Sequence, residues 1–391
     1  KGPLWNTIKD LNTNLKAQVR TRHGTTRKFD IKDSIRQGGV LSVLQYALLM
    51  DEIAKEIQKE KLGVDINKEF KLGCLLWMDD VALISNTAKE MQQLMNITDH
   101  VAKTYHIEFG EEKSKIMIIG KKKEDTVFNL GHLQIQRTSS YKYLGETMNE
   151  KCNLENQIPS IRGKTEAVIQ TIYAIAGDEE LSGIQMESIW TLILTWIYPI
   201  ILYGSETWKP TKTDMKNLNA TLDNILKRLL LTRVTTPREV VYIETGMMDV
   251  KHMMMRKQIL MLNRLKKSSS NLLDQILKTE DAKSWTKSTN KYIEDLDITL
   301  NDDNVKGNKW PIKRATRVAN YEHMAQARAE KSKVDYLLRH RDPHSRLKRS
   351  KYLDCLTHTQ ASTIFKTRTR MMEVKNNFRG MYSDNICRVC G

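Results

Sequence analysis

The first 150 residues combine helix-type and strand-type patterns. Some stretches repeat apolar residues every three or four positions, which predicts amphipathic helices, and others alternate apolar with polar residues, which predicts half-buried strands. Together they predict an α+β region over residues 1–150. The predicted elements are an amphipathic helix from Leu4 to Leu15, a hairpin within 15–35, helices over Leu44–Ile57 and Thr87–Tyr105, and strands at Lys115–Ile119 and Leu133–Ile135.

From Glu155 onward the pattern becomes helical. We predict a helical region over 151–265, a linker and basic helical region over 266–350, and a basic tail over 351–391. Within the middle region, Ser268 to Leu300 is polar and predicts a linker or weakly packed segment. One stripe at steps of three and four residues predicts core: Met215, Leu218, Leu222, Ile225 and Leu229.

The longest apolar stretch runs from Ile189 to Leu202 and contains Pro199. Its 14 residues are too few to span a bilayer, so it predicts a buried helix rather than a membrane anchor. We expect Trp196 and Tyr198 to be largely buried there. We expect no membrane partner and an intracellular location, nuclear or cytoplasmic.

Two carboxylates, Asp79 and Asp80, lie between the apolar runs Cys74–Met78 and Val81–Ser85. Two short strands with a tight turn between them would carry both carboxylates to the tip of a hairpin. Adjacent anions repel each other, and Mg²⁺ prefers carboxylate oxygens together with substrate phosphates. The pattern therefore suits phosphoryl transfer on a nucleotide, although a solvated turn is the ordinary explanation of such a pair taken alone.

The charge of the chain is strongly positive, at +16. Residues 306–391 hold 20 Lys and Arg against 7 Asp and Glu, which is an excess of 13. This uneven distribution favours nucleic acid as partner over a generally basic surface. Five scattered cysteines are typical of a reducing compartment rather than a disulfide scaffold.

Five short motifs occur in a fixed order. The first four resemble the palm of reverse transcriptases from non-LTR (LINE-like) retrotransposons, and the fifth resembles a segment that follows the palm in that family. The resemblance implies a partial right-hand polymerase palm and a helical thumb. It also implies an RNA-directed DNA polymerase acting on an RNA template, a DNA primer or target, and dNTPs. The motifs are Gln37-Gly38-Gly39, Asp79-Asp80, Lys113-Ser114, Tyr143-Leu144-Gly145 and the segment from Ile201 to Trp208.

The resemblance also implies roles for single residues. Asp79 would bind catalytic Mg²⁺ beside Asp80, and Lys113 would neutralise the leaving pyrophosphate unless it is an ordinary loop lysine. The chain departs from the family in having Val43 for a proline and Trp77-Met78 for Phe-Ala. Template and nucleotide contacts would come from Gln37, Gly38, Gly39 and Met78, and primer contacts from Tyr143, Leu144 and Gly145.

The tail offers two further predictions. Arg346, Lys348, Arg349 and Lys351 form a basic cluster that predicts phosphate contacts. Cys387 and Cys390 form a CxxC, which supplies half of the four ligands that Zn²⁺ needs. By resemblance this is the start of a zinc knuckle, so zinc binding is expected only in a longer chain.

The resembled family also uses an Asp on a strand well upstream of the glycine motif, and no residue here takes that place. We therefore expect a fragment, with an incomplete two-metal site and no polymerase activity of its own. The alternative is a non-catalytic nucleic-acid-binding remnant of a decayed or domesticated element.

Overall fold

A computed structural model describes residues 2–31, 39–67, 70–120, 126–176, 181, 184–268, 270–301, 304–341 and 347–371. The chain divides into two compact units, residues 1–144 and 145–391. The described residues combine helices with small sheets, so the predicted mixture of α and β structure is confirmed.

The described residues of unit 1 form three helices among short strands. The predicted hairpin within 15–35 is confirmed, as two nested strand pairs. The helices are α1 (Pro3–Leu11), α2 (Ser42–Lys59) and α3 (Ala88–Thr104). The strands are β1 (Lys16–Ala17), β2 (Arg20–Thr21), β3 (Gly24–Thr25), β4 (Phe29–Asp30), β5 (Val64–Asp65), β6 (Lys71–Leu72), β7 (Cys74–Trp77), β8 (Asp80–Leu83), β9 (Lys115–Ile116), β10 (Phe128–Leu130), β11 (Leu133–Arg137) and β12 (Ser140–Tyr143).

Helices α2 and α3 pack against one face of the β7–β8 hairpin. Alternation along the hairpin points Cys74, Leu76, Val81 and Leu83 into this core, since successive strand residues face opposite sides. The helices contribute buried residues at helical spacing, and Leu44 and Leu48 of α2 are exposed because its buried stripe lies elsewhere. The buried residues of this core are Met50, Ile53, Ile57, Leu94 and Val101.

A second small core lies on the other side of α3. Strand β11 pairs antiparallel with β10 and parallel with β9, which gives the order β10-β11-β9. Met95 of α3 packs on Ile116, Phe128, Leu130 and Ile135 of this sheet. Thr87 caps α3 by accepting a hydrogen bond from the Glu90 backbone N–H, so the helix begins where the sequence predicts.

Unit 2 is almost entirely helical, as predicted from Glu155 onward. It begins with the strand β13 (Glu146–Asn149). The helices are α4 (Gln157–Ala176), α5 (Met186–Leu192), a π-helical turn (Ile193–Ile197), α6 (Tyr198–Ile201), α7 (Lys212–Leu229), α8 (Arg238–Thr245), α9 (Val250–Leu265), α10 (Asn271–Leu277), α11 (Glu280–Asp295), α12 (Lys309–Ala325), a 3₁₀ turn (Gln326–Arg328), α13 (Ser332–Arg339), α14 (Tyr352–Cys355) and α15 (His358–Arg368).

One large core holds most of unit 2 together. The predicted stripe on α7 is confirmed, because Leu218, Leu222, Ile225 and Leu229 are buried in it and Met215 packs against it. Helix α7 begins at a capping box in which Thr211 and Asp214 satisfy each other's backbone N–H groups.

The apolar stretch 189–202 is helical and interrupted by the π turn. Tyr198 is buried as predicted, but the prediction for Trp196 is wrong, because its side chain is 39% exposed. The buried positions Ile193 and Ile197 are four residues apart, and Trp196 lies off that stripe. Within the described ranges, no helix has the length and apolarity to cross a membrane.

The polar stretch 268–300, predicted as a linker or weakly packed segment, is largely helical where it is described. It contains α10 and α11. Tyr292, Ile293 and Leu296 pack around a small core formed by Ile259, Ile298 and Ile312. The sequence pattern did not indicate this core because few apolar residues form it, and those of α11 lie close to the end of the helix.

Candidate active-site hairpin

Asp79 and Asp80 lie at the exposed tip of the β7–β8 hairpin. Trp77 pairs with Asp80, so the turn consists of Met78 and Asp79 alone. Both carboxylates are exposed, and Asp80 begins β8. They lie neither in a helix nor against apolar side chains, which matches the geometry that the apolar runs predict.

Met78 has a left-handed backbone, with φ of 54°. A side chain with a Cβ takes this conformation at a cost, and such residues concentrate at functional sites. The four paired positions of β7 and β8 hold the turn in place. Met78 itself is 42% exposed, so its side chain stands at the surface beside the two carboxylates.

Two tyrosines lie within electrostatic reach of the hairpin tip. Burial raises the pKa of the Tyr46 phenol, and the charge of Asp79 raises it further. Burial and the charge of Asp80 raise the pKa of Tyr143 in the same way. Tyr143, a predicted primer-contacting residue, therefore lies within electrostatic reach of Asp80.

Tyr46 was missed by sequence reasoning. It lies on α2 four residues before Met50 and seven before Ile53, so it continues the buried stripe of that helix toward the hairpin. The helical spacing of Tyr46 from Met50 and Ile53 is the sequence feature that could have identified it. Tyr46 is thus a partly buried phenol within electrostatic reach of Asp79.

Lys113 lies in a turn before β9 with its side chain exposed. Its carbonyl accepts a hydrogen bond of 2.9 Å from the Tyr141 hydroxyl of β12. The adjacent Ser114 donates its hydroxyl to the Gly110 carbonyl at 2.9 Å. The Lys-Ser motif is thus tied to the strand that carries Tyr143, while the ammonium group itself is solvated.

The segment 202–208 is bound to the start of unit 2. Gly204 has φ of 75°, and a Cβ there would collide with the Glu146 carboxylate. That carboxylate accepts a hydrogen bond of 2.7 Å from Trp208 Nε1. A Cβ on Gly145 would lie 3.1 Å from the Tyr203 ring. The glycines of the Tyr-Leu-Gly motif and of this segment therefore allow a close contact between the two motifs.

The described residues of the basic cluster differ, since two are exposed and one interacts with other side chains. Lys348 and Lys351 are exposed. Arg349 donates to the Asp354 carboxylate at 2.8 Å, and its guanidinium lies 5.1 Å from the centroid of the Trp190 ring. Burial lowers the pKa of Arg349. Of these three residues, the two lysines are therefore the ones positioned to meet phosphate.

Several predicted residues lie outside the described part of the chain: Gln37, Gly38, Arg346, Cys387 and Cys390. Gly39 is described, just before α2, and the neighbouring Val40 is 98% exposed.

The hairpin supplies some of the ligands that Mg²⁺ requires. Two exposed carboxylates at a tip are ligands that Mg²⁺ uses together with water and substrate phosphates. In the described ranges, no group of three or more His, Cys, Asp or Glu side chains could hold a metal ion. Asp79 and Asp80 thus provide a pair of ligands and not a complete cage.

A comparison with known families gives an independent result. Residues 3–148 match the family described as reverse transcriptase (RNA-dependent DNA polymerase). The matched range contains the Asp79–Asp80 hairpin, Lys113 and Tyr143. The match supports a reverse transcriptase, a class of enzyme that extends a DNA primer with nucleotides on an RNA template.

Proposed function

We propose that this chain belongs to the replication machinery of a non-LTR, LINE-like retrotransposon, with the β7–β8 hairpin as the catalytic edge of a polymerase palm. The observation that carries the proposal is the exposed Asp79-Asp80 pair on a two-residue hairpin within the range that matches the reverse transcriptase family. In this assignment residues 1–150 act as palm and 151–265 as thumb.

The residues at and near the hairpin would have different roles in nucleotide transfer. Asp79 would hold Mg²⁺ with Asp80 as its neighbour, and the bound ions would activate the primer 3′-OH and neutralise the pyrophosphate. Met78 presents its side chain to the nucleotide or the primer end. Tyr143 would pack near the primer, since its phenol lies within reach of the Asp80 charge. Lys113 offers a solvated ammonium for the phosphates.

A second candidate function is a nucleic-acid-binding remnant without catalysis. It is favoured by the ligand set, since no third acidic, His or Cys side chain joins the pair within the described residues. Two-metal transfer holds its ions about 3.5–4 Å apart, which needs carboxylates from more than one strand. We therefore expect the chain alone to make little or no DNA.

Primer extension on an RNA template with Mg²⁺ or Mn²⁺ tests both functions. The samples are this chain, a longer chain with upstream residues, and Asp79→Asn in each. A matched control is Asp65→Asn, because Asp65 is another exposed strand aspartate of unit 1. Synthesis by the longer chain that Asp79→Asn abolishes and Asp65→Asn spares supports the polymerase. Binding without synthesis in every sample supports the remnant. Asp79-dependent synthesis by this chain alone would show that its carboxylate set is already complete.

A further inference from the structure

Helix α12 presents an exposed face made of cations around one large aromatic ring. From residue 304 to 321 the sequence has five Lys or Arg and no Asp or Glu. Trp310 is 65% exposed, and the Arg314 guanidinium lies 5.4 Å from its ring centroid. The members of this α12 face are Lys309, Trp310, Lys313, Arg314 and Arg317, all exposed and all within about 140° of the helix circumference.

The positive charge of the α12 face is uncompensated within the described residues. No carboxylate there pairs with its four cationic side chains. Arg256 lies beneath the face, where it donates to the Thr316 hydroxyl at 2.9 Å and to the Lys313 carbonyl at 3.0 Å. Burial, together with repulsion from Arg317, lowers the pKa of Arg256 to about 10. An anion at this surface would relieve the repulsion.

The α12 face continues into the basic cluster of the tail. Arg317 donates to the Gly246 carbonyl at 3.4 Å. A Cβ on Gly246 would lie 2.9 Å from the Arg349 backbone nitrogen, so the two chain segments are in close contact there. The exposed residue Lys348 belongs to this segment, since its backbone carbon also lies close to Gly246.

We propose that the α12 face binds a single-stranded nucleic acid, with Lys309, Lys313 and Arg317 on the phosphates and Trp310 stacked on a base. A solvated helix face needs no exposed tryptophan, whereas single-strand-binding surfaces combine a basic track with an aromatic stacking platform. In a duplex the faces of the bases are already stacked on each other, so a base is available to stack on Trp310 only in a single strand. The inference rests on the proposed function, because a template strand or a displaced DNA strand is the ligand it supplies.

Helix α11 provides a matched control. Lys283, Lys287 and Lys291 are exposed and have the same spacing of four residues as the α12 cations. Lys283 pairs with Glu280 at 2.6 Å, and Glu294 lies exposed on the same helix, so α11 carries mixed charge. Trp285 of α11 donates to the Glu206 carbonyl at 2.9 Å and is held within the unit.

The experiment measures binding of labelled single-stranded RNA, single-stranded DNA and duplex DNA by fluorescence anisotropy as salt is varied. The α12 triple variant changes Lys309, Lys313 and Arg317 to Gln, and the α11 triple variant changes Lys283, Lys287 and Lys291 to Gln. We expect the α12 triple variant to lower the salt slope for single strands by about 2, since each phosphate contact contributes about 0.7. The α11 triple variant should leave the slope unchanged.

Trp310→Ala separates stacking from charge. It should weaken single-strand binding about tenfold, within the range for loss of a stacked base, and leave duplex binding unchanged. Trp310→Phe should restore most of the affinity. Equal loss in the α11 and α12 triple variants, an unaffected affinity in Trp310→Ala, or no single-strand binding by the unmodified protein would overturn the proposal. Comparison of RNA with DNA identifies the strand. Asp79→Asn should leave this binding intact, so failure of the proposed polymerase is detected separately by primer extension.

Discussion

One carboxylate site of each unit shows how differently this chain uses acidic side chains. In unit 1 the carboxylates of Asp79 and Asp80 stand exposed on a turn above a small core. In unit 2 the Glu244 carboxylate is completely buried, where Arg341 lies 3.0 Å away and Arg368 lies 3.1 Å away. A carboxylate left in water with a like-charged neighbour is available to a ligand, whereas a buried carboxylate with cationic partners is already used for folding.

The comparison shows that a carboxylate in this chain can either face solvent, where a ligand can reach it, or join parts of the fold. The Tyr352 hydroxyl also donates to Glu244, at 2.7 Å. Glu244 thus joins α8 to the segment 347–371 and fixes part of the basic tail. Arginines that resemble a phosphate-binding cluster in sequence include ones that hold the fold together.

The largest expected effect comes from Glu244→Ala. It removes the buried carboxylate that Arg341, Arg368 and Tyr352 share, so we expect the free energy of unfolding to fall by about 3–5 kcal/mol. Urea unfolding followed by circular dichroism measures it. The control is Glu166→Ala, which breaks a half-exposed pair with Arg228 and should cost about 1 kcal/mol or less. Equal losses in the two variants would remove the contrast between buried and exposed charge.

Acid should act on unit 2 through the same residue. Burial alone raises the pKa of Glu244, but hydrogen bonds from Arg368 and Tyr352 outweigh burial and hold the pKa below its usual value. The unfolded chain titrates at the ordinary glutamate value of about 4.3. The stabilisation is therefore present above that pH and is lost as the pH falls toward the lower pKa of the folded state.

Urea midpoints measured between pH 7 and pH 3 test this expectation. Glu244→Gln should flatten the fall in stability with acid. Glu294→Gln, at an exposed position of α11, should leave the fall unchanged. An identical pH profile in the Glu244→Gln variant would contradict the assignment.

Gly204→Ala tests the contact between the two motifs in unit 2. The new Cβ would meet the Glu146 carboxylate at a backbone φ of 75°, so we expect a loss of more than about 1 kcal/mol. Gly163→Ala is the control, since it lies within α4 in open space and should stabilise by about 0.5–1 kcal/mol. Thermal unfolding of both variants gives the comparison, and a stabilised Gly204→Ala protein would disprove the close contact.

Met78→Gly should raise the stability of unit 1 by up to about 1 kcal/mol, because glycine takes the left-handed turn without a Cβ penalty. Met148→Gly, in the strand β13 and 43% exposed, should instead lower stability by about 0.5–1 kcal/mol. Because the two methionine side chains have similar exposure, opposite changes in stability would separate the effect of the backbone conformation from that of the lost side chain. A loss in both variants would show that the side chain of Met78 matters more than its φ.

The smallest effect on stability is expected at the proposed catalytic residues. Asp79→Asn and Asp80→Asn remove exposed charges, so the free energy of unfolding should change by no more than about 0.5 kcal/mol. Differential scanning calorimetry measures this. A large loss would show that the hairpin carboxylates serve the fold, as Glu244 does.

The sequence alone determined the local elements of both units. The periodicity of apolar residues located α2, α3 and α7, and the two apolar runs around Asp79 located the hairpin and its exposed tip. These features follow from neighbours along the chain, since helix and strand periods act over a few residues. The ordered motifs also indicated the family that residues 3–148 match.

Only the tertiary structure decided which partners those elements receive. It brought Tyr46 within electrostatic reach of Asp79, left Trp196 exposed, and packed Tyr292, Ile293, Leu296 and Ile298 into a small core. Glu244 and Arg341 are 97 residues apart in sequence, and no local pattern distinguishes a basic residue that will pair with a buried acid from one that will face solvent. How the helices pack therefore decides that Arg341 and Arg368 pair with Glu244 while Lys348 and Lys351 stay exposed.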